Sequence, residues 1–298
     1  MFQLIKQDVF YVILSMFKDV KKIFYTNITK IPIVERKYRY LLLVWIISYL
    51  LITFALTKWM EGRNINPTYI DMVYNVLGIG LDMGFVLCFK KYLLKTLDFS
   101  FKQIKNAFVF SGAVYYVELL MRFIYLSIAS ALIVDFNRDV QHLSEVQKIN
   151  WMDYLSLVIS FPIDLMMEEF FCFAIFLFFL SFFKRVNVKN VFGGILCTSL
   201  CFGLLHFPNY GWETVPFIAF CRIAISTLFI LSLDLKAFYI YHIFVDLIAF
   251  AHLVDGDVKS TTEIISMLFI FPSVRWICSR LLDKSLNYEK LQEENSYS

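Results

Sequence analysis

The chain has 298 residues, 59% of them hydrophobic and 18% charged, with 33 phenylalanines and a mean hydropathy of +0.65. Soluble domains run about 45–50% apolar and about 25% charged, so this composition excludes an ordinary soluble fold and points to a polytopic membrane protein. The net charge of +3 reflects one-sided placement of lysine and arginine and does not indicate nucleic acid as a partner. The six cysteines lie within or at the ends of apolar runs with no CxxC pair, and read as small buried hydrophobes rather than a metal site.

Residues 2–24 place apolar residues at helical spacing with lysines between them, the pattern of an amphipathic helix lying on a membrane surface. No small-residue cleavage motif follows this stretch, so no removable signal peptide is expected. Segments long enough to cross a bilayer, which takes about 20 apolar residues, then follow at 40–57, 70–89, 107–134, 151–183, 190–206, 215–232, 236–254 and 263–282. The expected fold is therefore all-α, an integral membrane bundle of about eight transmembrane helices. The fourth segment is about 50 Å long at 1.5 Å per residue, so Pro162 is expected to kink or divide it. No internal repeat appears, which argues against a transporter built from duplicated halves. The tail after Asp283 is polar.

Charge placement tests this map. With the N-terminus cytoplasmic, one side collects the N-terminal segment, the Lys90–Lys105 loop, the Lys184–Lys189 loop, Lys236 and the C-terminal end, holding 21 of the 28 lysines and arginines. That asymmetry satisfies the positive-inside rule and puts both termini on the cytoplasmic face of a cell membrane, with membrane lipid as the surrounding partner. The richness in Phe, Ile, Lys and Tyr suggests a bacterial source.

Ionisable groups inside these spans are the candidates for function, because an acidic side chain at a bilayer centre costs roughly 2.5 to 3.5 kcal/mol by insertion scales. The stretch FPIDLMMEEFFCFAIFLFFLSFF carries Asp164 and two adjacent acids, Glu168 and Glu169. Consecutive residues point about 100° apart on a helix, so one can face a cavity while the other is held by a neighbour. Two carboxylates this close also disfavour double ionisation. His206 ends the fifth span just before a proline, Arg222 lies within the sixth, and His242 and Asp246 stack four residues apart on the seventh. Such a set suits a water-activating site. It could hold Zn²⁺ through Glu168, His206, His242 and Asp246, or use a glutamate base with histidine donors and no metal. Glu118 and Arg122, one turn apart on the third span, read as a self-neutralising pair. Asp82, His142 and His252 are assigned no role.

The order EE at 168–169, FxxxH at Phe202–His206 and HxxxD at His242–Asp246 resembles the CPBP intramembrane proteases, the CAAX-processing and bacteriocin-processing group also called the Abi family. The resemblance covers about residues 150–255. It implies an endopeptidase in which Glu168 is the base with His206 as its partner, His242 and Asp246 support the site or the oxyanion, and Glu169 orients it. Together with the spans above, it divides the chain into an amphipathic basic N-terminal segment (1–39), N-terminal membrane helices (40–149), a CPBP-like catalytic core (150–255), and a last span with a polar tail (256–298). Two departures stand out. The family's first motif is EExxxR, and this chain has Phe173 at the arginine position; Arg222 is the candidate substitute. Asp246 stands where asparagine is commoner, and an ionised Asp cannot donate to an oxyanion.

Counting along straight helices gives a conflict of depth. Glu168 lies about 24 Å from Lys184, and His242 only about 9 Å from Lys236, so the two should sit at different levels. The leading reading is a membrane-embedded endopeptidase acting on a peptide or protein substrate that the sequence does not name. A non-catalytic protein serving bacteriocin immunity or partner binding is the alternative, followed by an ion-coupled transporter.

Overall fold

A computed structural model describes residues 18–63, 67–132, 151–251 and 254. The expected N-terminal amphipathic helix is described only from residue 18, where α1 (18–28) runs with mostly exposed side chains. The expected span at 263–282 and the polar tail lie outside the described residues.

The helices are α2 (Arg36–Leu50), α3 (Pro67–Phe89), α4 (Phe101–Leu132), α5 (Trp151–Leu180), α6 (Val188–Leu205), α7 (Thr214–Ser232) and α8 (Leu235–Ala251). A wider π-helical stretch, Leu51–Leu56, carries α2 on to a short helical turn, Thr57–Glu61. Among the described residues, five stretches are long and apolar enough to cross a membrane: Arg36–Met60, Met72–Tyr92, Phe101–Ala129, Val188–Leu205 and Thr214–Ser232. Helices satisfy their own backbone, which lipid demands, and large apolar side chains such as Val44, Val76, Leu87 and Phe123 point outward. The chain is a helical membrane protein.

α5 is the central rod. It packs against α2, α3, α6 and α8, while α4 closes the far side against α7 and α8. Its face is almost wholly aromatic and aliphatic: Phe170 to Leu177 are all buried, and Phe170 stacks on Phe85 of α3 with ring centres 4.9 Å apart. Pro162 does not divide it, since one helix runs from Trp151 to Leu180. The carbonyl of Pro162 accepts the Tyr239 hydroxyl of α8 at 2.9 Å.

Two polar devices fix the ends. Arg39 of α2 donates to the Ser181 carbonyl at 2.5 Å and to its hydroxyl at 3.0 Å, placing a cation at the C-terminus of α5 where the helix dipole favours one. Asn27 donates its amide to the carbonyls of Ile230 and Leu231 at 2.9 and 2.8 Å, which closes the C-terminus of α7. The chain then turns through Leu233 with φ 51°, a left-handed conformation rare for a branched side chain. Asp234 follows, accepting the backbone N–H of Lys236 at 3.1 Å and so capping α8.

This turn resolves the conflict of depth. Lys236 is buried, with its ammonium on the Thr96 carbonyl at 3.1 Å and on Asp234 at 3.2 Å. It marks an internal joint rather than the water boundary, so α8 starts inside the bundle and His242 reaches the level of the α5 acids.

Candidate active site

α5, α6, α7 and α8 each deliver one part of the site. Glu168 and Glu169 diverge as consecutive helical residues must. Glu169 turns inward and is 2% exposed, while Glu168 is half-buried. Arg222 of α7 meets Glu169 in a two-pronged pair, Nη1 to Oε1 at 2.8 Å and Nη2 to Oε2 at 2.7 Å. This fork geometry is what guanidinium and carboxylate favour. Glu169 Oε1 also lies 3.1 Å from His242 Nδ1. A carboxylate is acceptor-only, so Nδ1 carries the proton, and the opposite nitrogen is directed elsewhere. That nitrogen, Nε2, faces Glu168 Oε2 at 3.8 Å. The result is a buried series, Arg222 to Glu169 to His242, ending at Glu168.

His206 closes α6, and its Nδ1 lies 2.9 Å from the Phe202 carbonyl, an acceptor that again places the proton on Nδ1. Gly203 permits this arrangement: a Cβ there would meet the Val215 carbonyl at 2.7 Å, so α6 and α7 approach more closely than any side chain would allow. His206 stands within electrostatic reach of His242, Asp246 and Arg222, and Asp246 within reach of His242, Glu168 and His206. The imidazole facing Glu168 is thus that of His242, whereas the sequence reading pairs Glu168 with His206. Asp164 is half-buried on the same helix as the glutamates.

Phe202 had no assigned role in the sequence. Its ring lies 4.6 Å from that of His206 and 6.1 Å from that of His242, with the Arg222 guanidinium 4.6 Å above it. It forms the apolar floor that seats both histidines and the arginine. Tyr241 is the second unforeseen member. Its hydroxyl donates to Glu118, whose other oxygen accepts Arg122 Nε at 2.8 Å, so the Glu118–Arg122 pair also ties α4 to α8 beside His242. Phe202 carried a signal, its place one turn before His206; Tyr241 carried none.

At the family's arginine position, Phe173 packs on Phe229 with ring centres 5.6 Å apart. A cavity of about 30 Å³ lies between Phe173, Glu169, Arg222, Thr198 and Ser226, room for about one water. Arg222 Nε has no hydrogen-bond partner among the described protein atoms.

Among the described residues no group of three or more His, Cys, Asp and Glu side chains is arranged to hold a metal ion as the side chains stand.

Comparisons with curated proteins and with solved structures returned no match. Residues 150–248, which span every motif from the glutamate pair to Asp246, match the family model of type II CAAX prenyl endopeptidases, Rce1-like.

Proposed function

We propose that the protein is a membrane-embedded endopeptidase that hydrolyses a peptide bond in a membrane-associated protein or peptide, with Glu168 as the base that activates water. The carrying observation is the Arg222–Glu169–His242 series ending across 3.8 Å from Glu168. A polar gap of that length suits a bridging water. Glu168 takes a proton from this water as its oxygen attacks the scissile carbonyl, then returns the proton to the departing amine. Glu169 holds His242 by its Nδ1–H, and Arg222 balances the charge of Glu169, so His242 keeps one orientation toward the water. His206 and Asp246 stand within electrostatic reach of His242 and of each other. A histidine there donates from Nε2 to a tetrahedral oxyanion only when doubly protonated.

The test uses the full-length protein in lipid nanodiscs with a panel of membrane-anchored peptides, prenylated CAAX peptides and bacteriocin leaders among them, read by mass spectrometry. Glu168→Gln should lower cleavage by about 10²-fold or more while leaving the melting temperature unchanged, and a chelator should leave the wild-type rate intact. Cleavage at the wild-type rate by Glu168→Gln would refute the assignment. A non-catalytic binding protein would cleave nothing in either form and retain its partner.

A further inference from the structure

We propose that a cavity between α3, α5 and α8 is a substrate side-chain pocket that receives lysine, with Asp82 as its anchor. The proposal rests on the endopeptidase reading and adds a substrate preference to it. The cavity measures about 420 Å³, and its walls include Ile79, Asp82, Met83, Ile163, Met166 and Tyr239. Asp82 is 6% exposed, and its Oδ1 has no hydrogen-bond partner among the described protein atoms. Burying a carboxyl oxygen without a partner costs free energy that the fold recovers only if a donor arrives. The Tyr239 hydroxyl proton is committed to the Pro162 carbonyl, so the pocket offers hydrocarbon walls with Asp82 as its carboxyl group.

Its complement is an apolar stem ending in a compact N–H donor. A lysine side chain has this form, four methylenes carrying an ammonium. An arginine would bring a five-donor fork to a wall with a single carboxyl group. A lipid amine is disfavoured by depth, because Asp82 lies eight residues inside the Lys90 end of α3, about 12 Å along the helix. The pocket also adjoins the proposed chemistry. Tyr239, in its wall, is one turn before His242, and Tyr74 stands within electrostatic reach of Asp82, Asp164 and Glu168 together. A peptide held at Glu168 can therefore place a nearby side chain against Asp82.

Binding tests this without turnover. Full-length Glu168→Gln protein in nanodiscs is titrated with fluorophore-labelled hydrophobic peptides that carry one lysine, or norleucine in the same place, moved stepwise along the peptide. Norleucine keeps most of the stem and lacks the ammonium. At one position the lysine peptide should bind at least tenfold tighter, and adding Asp82→Asn should bring the ratio near one. Ile79→Trp, which fills the cavity and leaves Asp82 in place, should also abolish the preference. Circular dichroism and size exclusion check that each variant is folded. Equal binding of the two peptides at every position overturns the proposal, as does a preference that survives both variants. Loss of the preference on adding phosphatidylethanolamine to the nanodiscs would give the pocket to a lipid amine and equally overturn it. Cleavage of either peptide by protein with Glu168 intact reports on the endopeptidase reading alone.

Discussion

The charge missing from position 173 is supplied at position 222. An arginine one turn after Glu169 would reach its carboxylate along the same helix, whereas Arg222 reaches it from α7 and ties two helices together. Phe173 and Arg222 line the same small cavity beside Glu169, so a guanidinium placed at either position addresses the same carboxylate. Removing one partner of a buried ion pair costs about 3–5 kcal/mol, because the other charge is left uncompensated. Arg222→Met should therefore lower the melting temperature markedly and abolish cleavage. Arg222→Lys should recover part of both, since it restores the charge without the two-pronged contact. Combining Arg222→Met with Phe173→Arg returns the guanidinium to the family position and should recover more activity than Arg222→Met alone. Thermal melts and peptide cleavage on the four proteins decide the matter, and a double variant no better than Arg222→Met would show that the two positions are not interchangeable.

At the scale of elements, the joint between α7 and α8 determines where His242 stands. Counting outward from lysines assumes that each lysine marks the membrane boundary, and Lys236 breaks that assumption by pairing internally with Asp234 and Thr96. The Leu235 backbone N–H also donates to the Thr96 hydroxyl at 2.9 Å, so the start of α8 is bolted to the loop before α4. Helix limits were legible where apolar runs have polar ends: the expected 190–206 and 215–232 correspond to Val188–Leu205 and Thr214–Ser232. The expected 107–134 misses the first turns of α4, which begins at Phe101, because Lys102 and Lys105 lie on helix that extends past the apolar run. Asp234→Ala removes a cap worth about 1 kcal/mol and takes a buried carboxylate away from Lys236. It should destabilise the protein by roughly 3 kcal/mol or more and speed amide exchange across the first turns of α8. Activity should fall with it, through the position of His242. Unchanged exchange in α8 would show that the joint holds without Asp234.

Across the whole molecule, the ionisable part of the site was readable because acids and a guanidinium inside lipid-grade sequence are conspicuous. Glu168, Glu169, Arg222 and the two histidines stood out on that ground. The apolar part was not readable. Phe202 and Tyr241 are two among many aromatics in a chain that is 18% aromatic, and their roles arise from contacts between helices far apart in sequence. The family match covers 150–248, yet Arg39 closes α5, Asn27 closes α7, and α4 fixes Tyr241 through Glu118. α2 and α3 also bury the aromatic face of α5, with Tyr49 stacked on Phe171 at 4.7 Å and Phe85 on Phe170. A fragment of residues 150–298 would expose that face and lose both helix-end contacts. Expressed alone in membranes it should be degraded or aggregate, without cleavage activity. Co-expressed with residues 1–149, it should co-purify with them in one detergent-stable complex and recover activity, since the break falls between α4 and α5 and cuts neither helix. Size exclusion and peptide cleavage on the two preparations test this. An active, monodisperse 150–298 fragment would show that the N-terminal helices are dispensable to the site.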